Sequence, residues 1–167
     1  MNKRIWIYIG GLLVLALDQF LKWYSIYFTE RGGFFIWKLS RFNSIHVFEF
    51  GLYKNAGIAF GIKIPQELFY ILVAVIVFFI LEKFKKEIKE KKFLVLTSLV
   101  FIGSGAISNL IDRIMRGYVV DYLHFFNLSA LNLADVVIVV GIGLLILKEL
   151  GLIDRFKKIR IKTSPLR

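Results

Sequence analysis

Cysteine is absent from this 167-residue chain. Without it there is no disulfide, no thiol nucleophile and no thiolate metal site, and the redox compartment stays undetermined. Histidine is almost as scarce. His46 and His124 stand far apart, with no paired-histidine helix motif, so no metal centre is expected. Acidic residues are few, 12 against 23 Lys and Arg, which leaves a net charge of +11. In a soluble protein that excess would suggest nucleic acid. Here the basic residues flank apolar runs, as they do beside membranes, so no nucleic-acid partner is expected. An internal repeat, a low-complexity linker and a second domain are also missing, and residues 1–167 read as one unit.

What the chain has in quantity is apolar surface. Hydrophobic residues make up 57% of it and the mean hydropathy is +0.68, well above the roughly 45–50% apolar content of soluble domains. Four stretches approach the roughly 20 residues that cross a bilayer, at 5–23, 65–84, 93–111 and 131–150. The basic start and apolar run to Leu17 resemble a secretory signal. The run nevertheless continues through Asp18-Gln19 to Tyr24 without a small-residue cleavage pattern, so a retained first span is expected. In the second stretch, Pro65 suits a first helical position and Glu67 complements the positive end of the helix dipole.

Basic residues give the orientation. Two precede the first span, six lie between Lys83 and Lys92, and seven follow from Lys148, against seven spread over the outer segments 24–64 and 112–130. The positive side is the cytoplasmic one, which predicts both termini inside. The 83–92 stretch also holds Glu87 and Glu90 and reads as a solvated charged turn. Between Phe34 and Phe60, aromatic and β-branched residues predict a small extracytoplasmic sheet, with turns at Gly32-Gly33 and Arg41 to Ser44. A short outer helix or loop is expected over 112–130. The predicted architecture is an all-α membrane protein of four helices carrying that sheet.

Charged and amide side chains inside apolar spans are costly and mark functional sites. Asp18 lies about 20 Å along the first span and Asn109 about 24 Å along the third, while Asn132 and Asp135 open the fourth from outside. Helical spacing places Asp18 with Lys22, Asn109 with Arg113 and Asn132 with Asp135 on shared faces. Three spans therefore direct polar groups at one outer level. Simpler readings exist: Asp18–Lys22 as a helix-stabilising pair with Lys22 snorkelling outward, Asp112–Arg116 as another such pair, Asp135 as a charge on the helix dipole, and Arg113 at a lipid headgroup. Asp121, fourteen residues before Asp135, is long-tethered enough to fold back over the bundle mouth and meet it. Two carboxylates in contact cannot both ionise easily. One keeps a proton while the other activates water, as in aspartic peptidases, with no cofactor. Sequence does not assign the proton, because interacting carboxylates titrate as a pair.

At these residues the chain resembles lipoprotein signal peptidases, the type II signal peptidases of bacteria, over nearly its whole length. Four blocks match in order: Asp18 to Lys22; Asn55-Ala56-Gly57 through Gly61; Gly105 through Asn109 to Asp112-Arg113 and on to Val120-Asp121; and Asn132-Leu133-Ala134-Asp135. The resemblance implies an inner-membrane enzyme, active near the outer leaflet, that cleaves diacylglyceryl-modified prolipoproteins immediately before the lipid-bearing cysteine. It assigns the catalytic pair to Asp121 and Asp135. It gives substrate-positioning or supporting roles to Asp18, Lys22, Asn55, Gly57, Asn109, Asp112, Arg113 and Asn132. Ser108 stands where glycine is common, Leu131 where an aromatic is common and Val136 where serine is frequent, and the segment before Asn55 is longer than usual. None of these departures removes a carboxylate. The implied partners are prolipoprotein substrates and membrane phospholipids, with no required protein partner. A cleft opening sideways would leave the substrate's acyl chains among the bilayer lipids.

Three rivals fit parts of the sequence. A serine peptidase would need Ser104 with His124, although Ser104, Gly105 and Ser108 read better as a close helix contact. A metallopeptidase lacks its histidine pair, with His46 expected in the outer sheet and His124 on a polar surface. A proton-coupled transporter would use membrane carboxylates, but its path should continue inward, where the second and fourth spans are almost wholly apolar.

Overall fold

The computed structural model describes residues 3–33, 35–38, 46–57, 92–125 and 129–152, together with Val75, Phe78, Phe79, Glu82, Phe84 and Lys85. Helix α1 runs from Lys3 to Glu30, 28 residues and about 42 Å, which exceeds the roughly 30 Å of a bilayer's hydrocarbon core. It outruns the expected 5–23 because the stretch Tyr24–Glu30 holds no glycine or proline. It stops where Gly32 adopts a φ of 73° and the amides of Gly32 and Gly33 return to the carbonyls of Thr29 and Phe28 at 3.0 and 2.9 Å. Positive φ costs glycine nothing and other residues a steric penalty. The expected Gly32-Gly33 turn is therefore a helix stop. The other expected turn, Arg41 to Ser44, and most of the expected second span, 65–84, lie outside the described residues.

Helix α2, Phe93–Arg116, likewise passes its expected end at 111 and terminates at Gly117, whose amide donates to the Arg113 carbonyl. In both helices the apolar run marks the crossing portion and a glycine marks the end. Helix α3, Leu133–Glu149, begins two residues later than the expected 131, because Asn132 is its extended N-cap and Leu131 closes a strand. Among the described residues, α1 and α2 are long and apolar enough to cross a membrane.

Among the described residues the sheet has four antiparallel strands in sequential order, β1 (Phe35–Lys38), β2 (His46–Asn55), β3 (Val119–Phe125) and β4 (Ser129–Leu131). The first two arise where a sheet is expected, and His46 begins β2. The last two correct the expectation of a short helix or loop over 112–130. After Gly117 the run Val119-Val120-Asp121-Tyr122 is rich in the branched and aromatic residues that suit a pleated surface, and β2 supplies it with a partner. Tyr53 lies opposite Asp121 and Glu49 opposite His124, with a register shift between Phe50 and Tyr53.

Close helix packing holds the sheet over the bundle. A methyl group built on Gly105 would sit 2.5 Å from the Ala134 carbonyl oxygen, and one on Gly141 2.8 Å from that of Ser98, so α2 and α3 touch backbone to backbone at both points. The expected small-residue helix contact is thus real at Gly105. Phe50 of β2 rests on Tyr24 and Phe28 of α1 and on Tyr122 of β3, ring centroids 5.8–6.2 Å apart. Interior and exterior are inverted relative to a soluble protein. Leu12, Leu13, Ile114, Met115 and Val139 are each at least 64% exposed, whereas Asp18, Lys22, Ser108, Asp112 and Asn132 are wholly buried. Apolar surface of that extent is stable in hydrocarbon, not in water.

Candidate active site

Asn132 is the joint of the site. As N-cap of α3 its side-chain oxygen accepts the Asp135 amide at 2.9 Å, and the Asp135 carboxylate accepts the Asn132 amide at 3.3 Å, a reciprocal capping box. Its side-chain nitrogen is then free to face β3, where it donates to Asp121 Oδ1 at 2.8 Å and also lies 3.2 Å from Asn109 Oδ1. One residue thus holds both carboxylates. Asp121 receives a second hydrogen bond on Oδ2 from Asn55 of β2 at 2.9 Å, and Asp135 receives one on Oδ1 from Asn109 of α2 at 2.8 Å. Three asparagine amides therefore orient the pair.

Asp121 is only 2% exposed. Burial raises its carboxyl from the ordinary 3.8 to about 6; the Asn55 hydrogen bond opposes the rise, the Asp135 charge adds to it, and Asn132 and Lys22 oppose it. Desolvation disfavours the charged form, so this carboxyl holds a proton to higher pH than a surface aspartate would.

Beneath the pair lies a buried ionic layer. Lys22 Nζ contacts Asp18 Oδ2 at 2.8 Å, Asp112 Oδ2 at 3.0 Å and Asn109 Oδ1 at 2.8 Å. The snorkelling alternative for Lys22 is corrected here: its ammonium points inward because two acceptor carboxylates and an amide oxygen wait there. Asp18 gathers four donors, from Lys22, Ser108 (2.6 Å), Tyr122 (2.9 Å) and the Ala134 amide (3.1 Å). Asp112 does pair with Arg116 along α2, but it also accepts the Val120 amide at 3.0 Å and so pins β3 to α2. Arg113 donates to the Gly57 carbonyl, while the Gly57 amide donates to Asn55 Oδ1 at 3.1 Å. That clasp directs the Asn55 nitrogen toward Asp121.

All ten residues singled out in the sequence fall into this connected set. Three further members were not singled out there. Gln19, within the Asp18 to Lys22 motif, donates to the Ser108 carbonyl and hydroxyl at 3.0 and 2.8 Å. Ser108 was read only as packing. Tyr122 is the third, and its nearness to Asp121 in sequence was the available signal. The serine rival is not assembled: Ser104 donates to the Phe101 carbonyl one turn back in its own helix, and His124, on the sheet, faces Glu49 at 3.2 Å.

The chain is similar to known proteins over most of its length. Residues 11–151 match the family model described as signal peptidase (SPase) II. A lipoprotein signal peptidase of Halalkalibacterium halodurans is 38% identical over 150 residues, covering 84% of this chain and 89% of the relative. One from Brevibacillus brevis is 32% identical over 149 residues, covering 86% and 93%. Two solved structures of bacterial membrane enzymes share the fold: one superposes with a TM-score of 0.69 at 23% identity over 88% of this chain and 92% of its own, the other with 0.64 at 21% over 98% and 93%.

Proposed function

The chain belongs to the signal peptidase II family, and on that premise we propose that its activity, the removal of signal peptides from prolipoproteins, is carried out by Asp121 and Asp135 as an aspartic pair. The observation that carries this reading is the double hold of Asn132, whose side chain binds one carboxylate while its backbone binds the other. One carboxylate takes a proton from water as the water oxygen attacks the scissile carbonyl carbon. The other gives its proton to the carbonyl oxygen. As the tetrahedral intermediate breaks its C–N bond, the first carboxylate passes its proton to the leaving nitrogen and the second recovers one from a hydroxyl of the intermediate, leaving a carboxyl terminus on the signal peptide and a free amine on the new N-terminal residue. No metal or cofactor is needed for this sequence of proton transfers. Asn55, Asn109 and Asn132 hold the pair, Asp18, Lys22 and Asp112 form the layer beneath it, and Arg113 with Gly57 keeps Asn55 in place.

The substrate class follows from the same reading: a diacylglyceryl-modified prolipoprotein, cut before its lipid-bearing cysteine. The pair sits at the level where α1 outruns the hydrocarbon thickness, so a lipid anchor can remain among phospholipids while its peptide enters under the sheet. The test presents lipid-modified and unmodified forms of one prolipoprotein in vesicles and sequences the product. Cleavage of the modified form before cysteine is expected; equal cleavage of both forms contradicts the lipid requirement.

The topology belongs to this reading as well: a single domain spanning the inner membrane four times, with both termini cytoplasmic and the pair at the outer leaflet. Because native cysteine is absent, single cysteines report without background. One at Arg31 should react with an impermeant reagent in intact cells and one at Lys86 should not; the reverse pattern turns the protein over.

A further inference from the structure

A helix begins with backbone amides that have no partner inside it. In α3 the first three are each met by a different side chain: Leu133 by the Tyr122 hydroxyl oxygen at 3.0 Å, Ala134 by Asp18 Oδ1 at 3.1 Å and Asp135 by Asn132 Oδ1 at 2.9 Å. Two of these bonds belong to the site already described. The one from Leu133 to Tyr122 adds to it. The Tyr122 hydroxyl donates to Asp18 Oδ1 at 2.9 Å while accepting the Leu133 amide, so one oxygen joins β3, α1 and α3.

Tyr122 is the covalent neighbour of Asp121, and Leu133 is two residues before Asp135. The bridge therefore grips the strand beside one carboxylate and the helix about 3 Å along the axis from the other. Tyr122 is 1% exposed and its ring is seated against Phe50 at 5.8 Å, so its hydroxyl has no water to fall back on. Burial, reinforced by the Asp18 charge, pushes the phenol pKa up, so the hydroxyl stays a donor throughout the working range. Asn132 holds the carboxylates at their tips, Asp121 through its side chain and Asp135 through its backbone amide. Tyr122 holds the two backbones that carry them.

We propose that Tyr122, through the hydrogen bonds its hydroxyl makes to Asp18 and the Leu133 amide, is a positioning residue that sets the separation of Asp121 and Asp135. It does not touch the reacting atoms. The inference rests on the catalytic reading of that pair. A displacement of about 1 Å in a catalytic group costs on the order of 100-fold, so loss of one of several holds should cost on the order of 10- to 100-fold in kcat.

The test is Tyr122→Phe in the full-length protein in lipid, assayed on a lipid-modified prolipoprotein alongside Asp121→Asn, Asp135→Asn and Phe50→Leu. Tyr122→Phe should lower kcat per folded molecule about 10-fold or more with KM within about twofold. Because a wider pair repels less, it should also move the alkaline limb of the pH profile toward lower pH. Phe50→Leu loosens the ring's seat yet keeps the hydroxyl, and should lower the unfolding midpoint while preserving kcat and the limb. Parent kcat in folded Tyr122→Phe, or a loss with the pH limb unmoved, overturns the inference. Should Tyr122→Phe not fold, Leu133→Pro removes the other half of the bridge. Proline is tolerated at a first helical position, and Asn132, at φ −130° and ψ 175°, already has the extended backbone that precedes proline. It should show the same kcat loss, and parent kcat there overturns the inference. If Asp121→Asn and Asp135→Asn turn over normally, the fault lies in the catalytic reading; if they are inactive and Tyr122→Phe is not impaired, it lies in the positioning role alone.

Discussion

The Asn132 side chain donates to Asp121 at 2.8 Å from the position where it also caps the helix that begins with Asp135. A capping residue ordinarily serves only its helix. Here the cap's spare amide nitrogen reaches across to a strand, so helix initiation and alignment of the two carboxylates are one arrangement.

That dual use separates stability from activity. Asn132→Ala loses a cap, typically about 1 kcal/mol, and among the described residues it leaves Asp121 with Asn55 as its remaining amide partner. Thermal unfolding should shift modestly, while kcat should fall on the order of 100-fold or more. Equal proportional losses in both would mean that Asn132 acts only through folding.

The ionic layer predicts a stability effect of another size. Lys22→Met leaves Asp18 and Asp112, both wholly buried, without their shared cation, and breaking a buried pair in this way costs about 3–5 kcal/mol. Lys85→Met removes the exposed partner of Glu82 and should change little, as exposed pairs do. Chemical unfolding in detergent micelles compares them; similar small losses for both would show that Asp18 and Asp112 do not depend on Lys22 for compensation.

How much of this was legible in the sequence depended on what each residue answers to. Asp18, Lys22, Asn109, Asn132 and Asp135 were placed by helical rise and spacing, which act locally. Asp121 was harder, since its burial comes from pairing with Tyr53 across the sheet, a contact far away in sequence. The strand over Val119–Phe125 was missed for that reason: branched residues admit a strand, but only a partner makes one. Helix ends were missed because α1 and α2 stop at glycines beyond the apolar runs. Tyr122 escaped notice because strict alternation turns it away from Asp121, and its link to the pair runs through Asp18 and the start of α3.

Asp121 also predicts a pH dependence. Its carboxyl is raised to about 6, chiefly by burial, so its protonated form is favoured in the fold. Its contribution to stability is fully present below the ordinary 3.8 and is lost as pH rises through about 6. A proton shared by the pair is needed for catalysis, so the alkaline limb of kcat/KM, which reports the free enzyme and belongs to the pair, should lie well above the ordinary carboxylate range. Asp121→Asn, which abolishes turnover, should remove the stability change between pH 4 and 7. A limb near 4 in the parent would show an exposed, unperturbed carboxyl.

The central claim is that Asp121 and Asp135 together perform the hydrolysis. Single-turnover cleavage of a diacylglyceryl-modified prolipoprotein by the parent, Asp121→Asn and Asp135→Asn, each shown to be folded and to bind substrate, measures it directly. The account predicts that each variant binds but releases no signal peptide. Cleavage by either folded variant at the parent rate would contradict it.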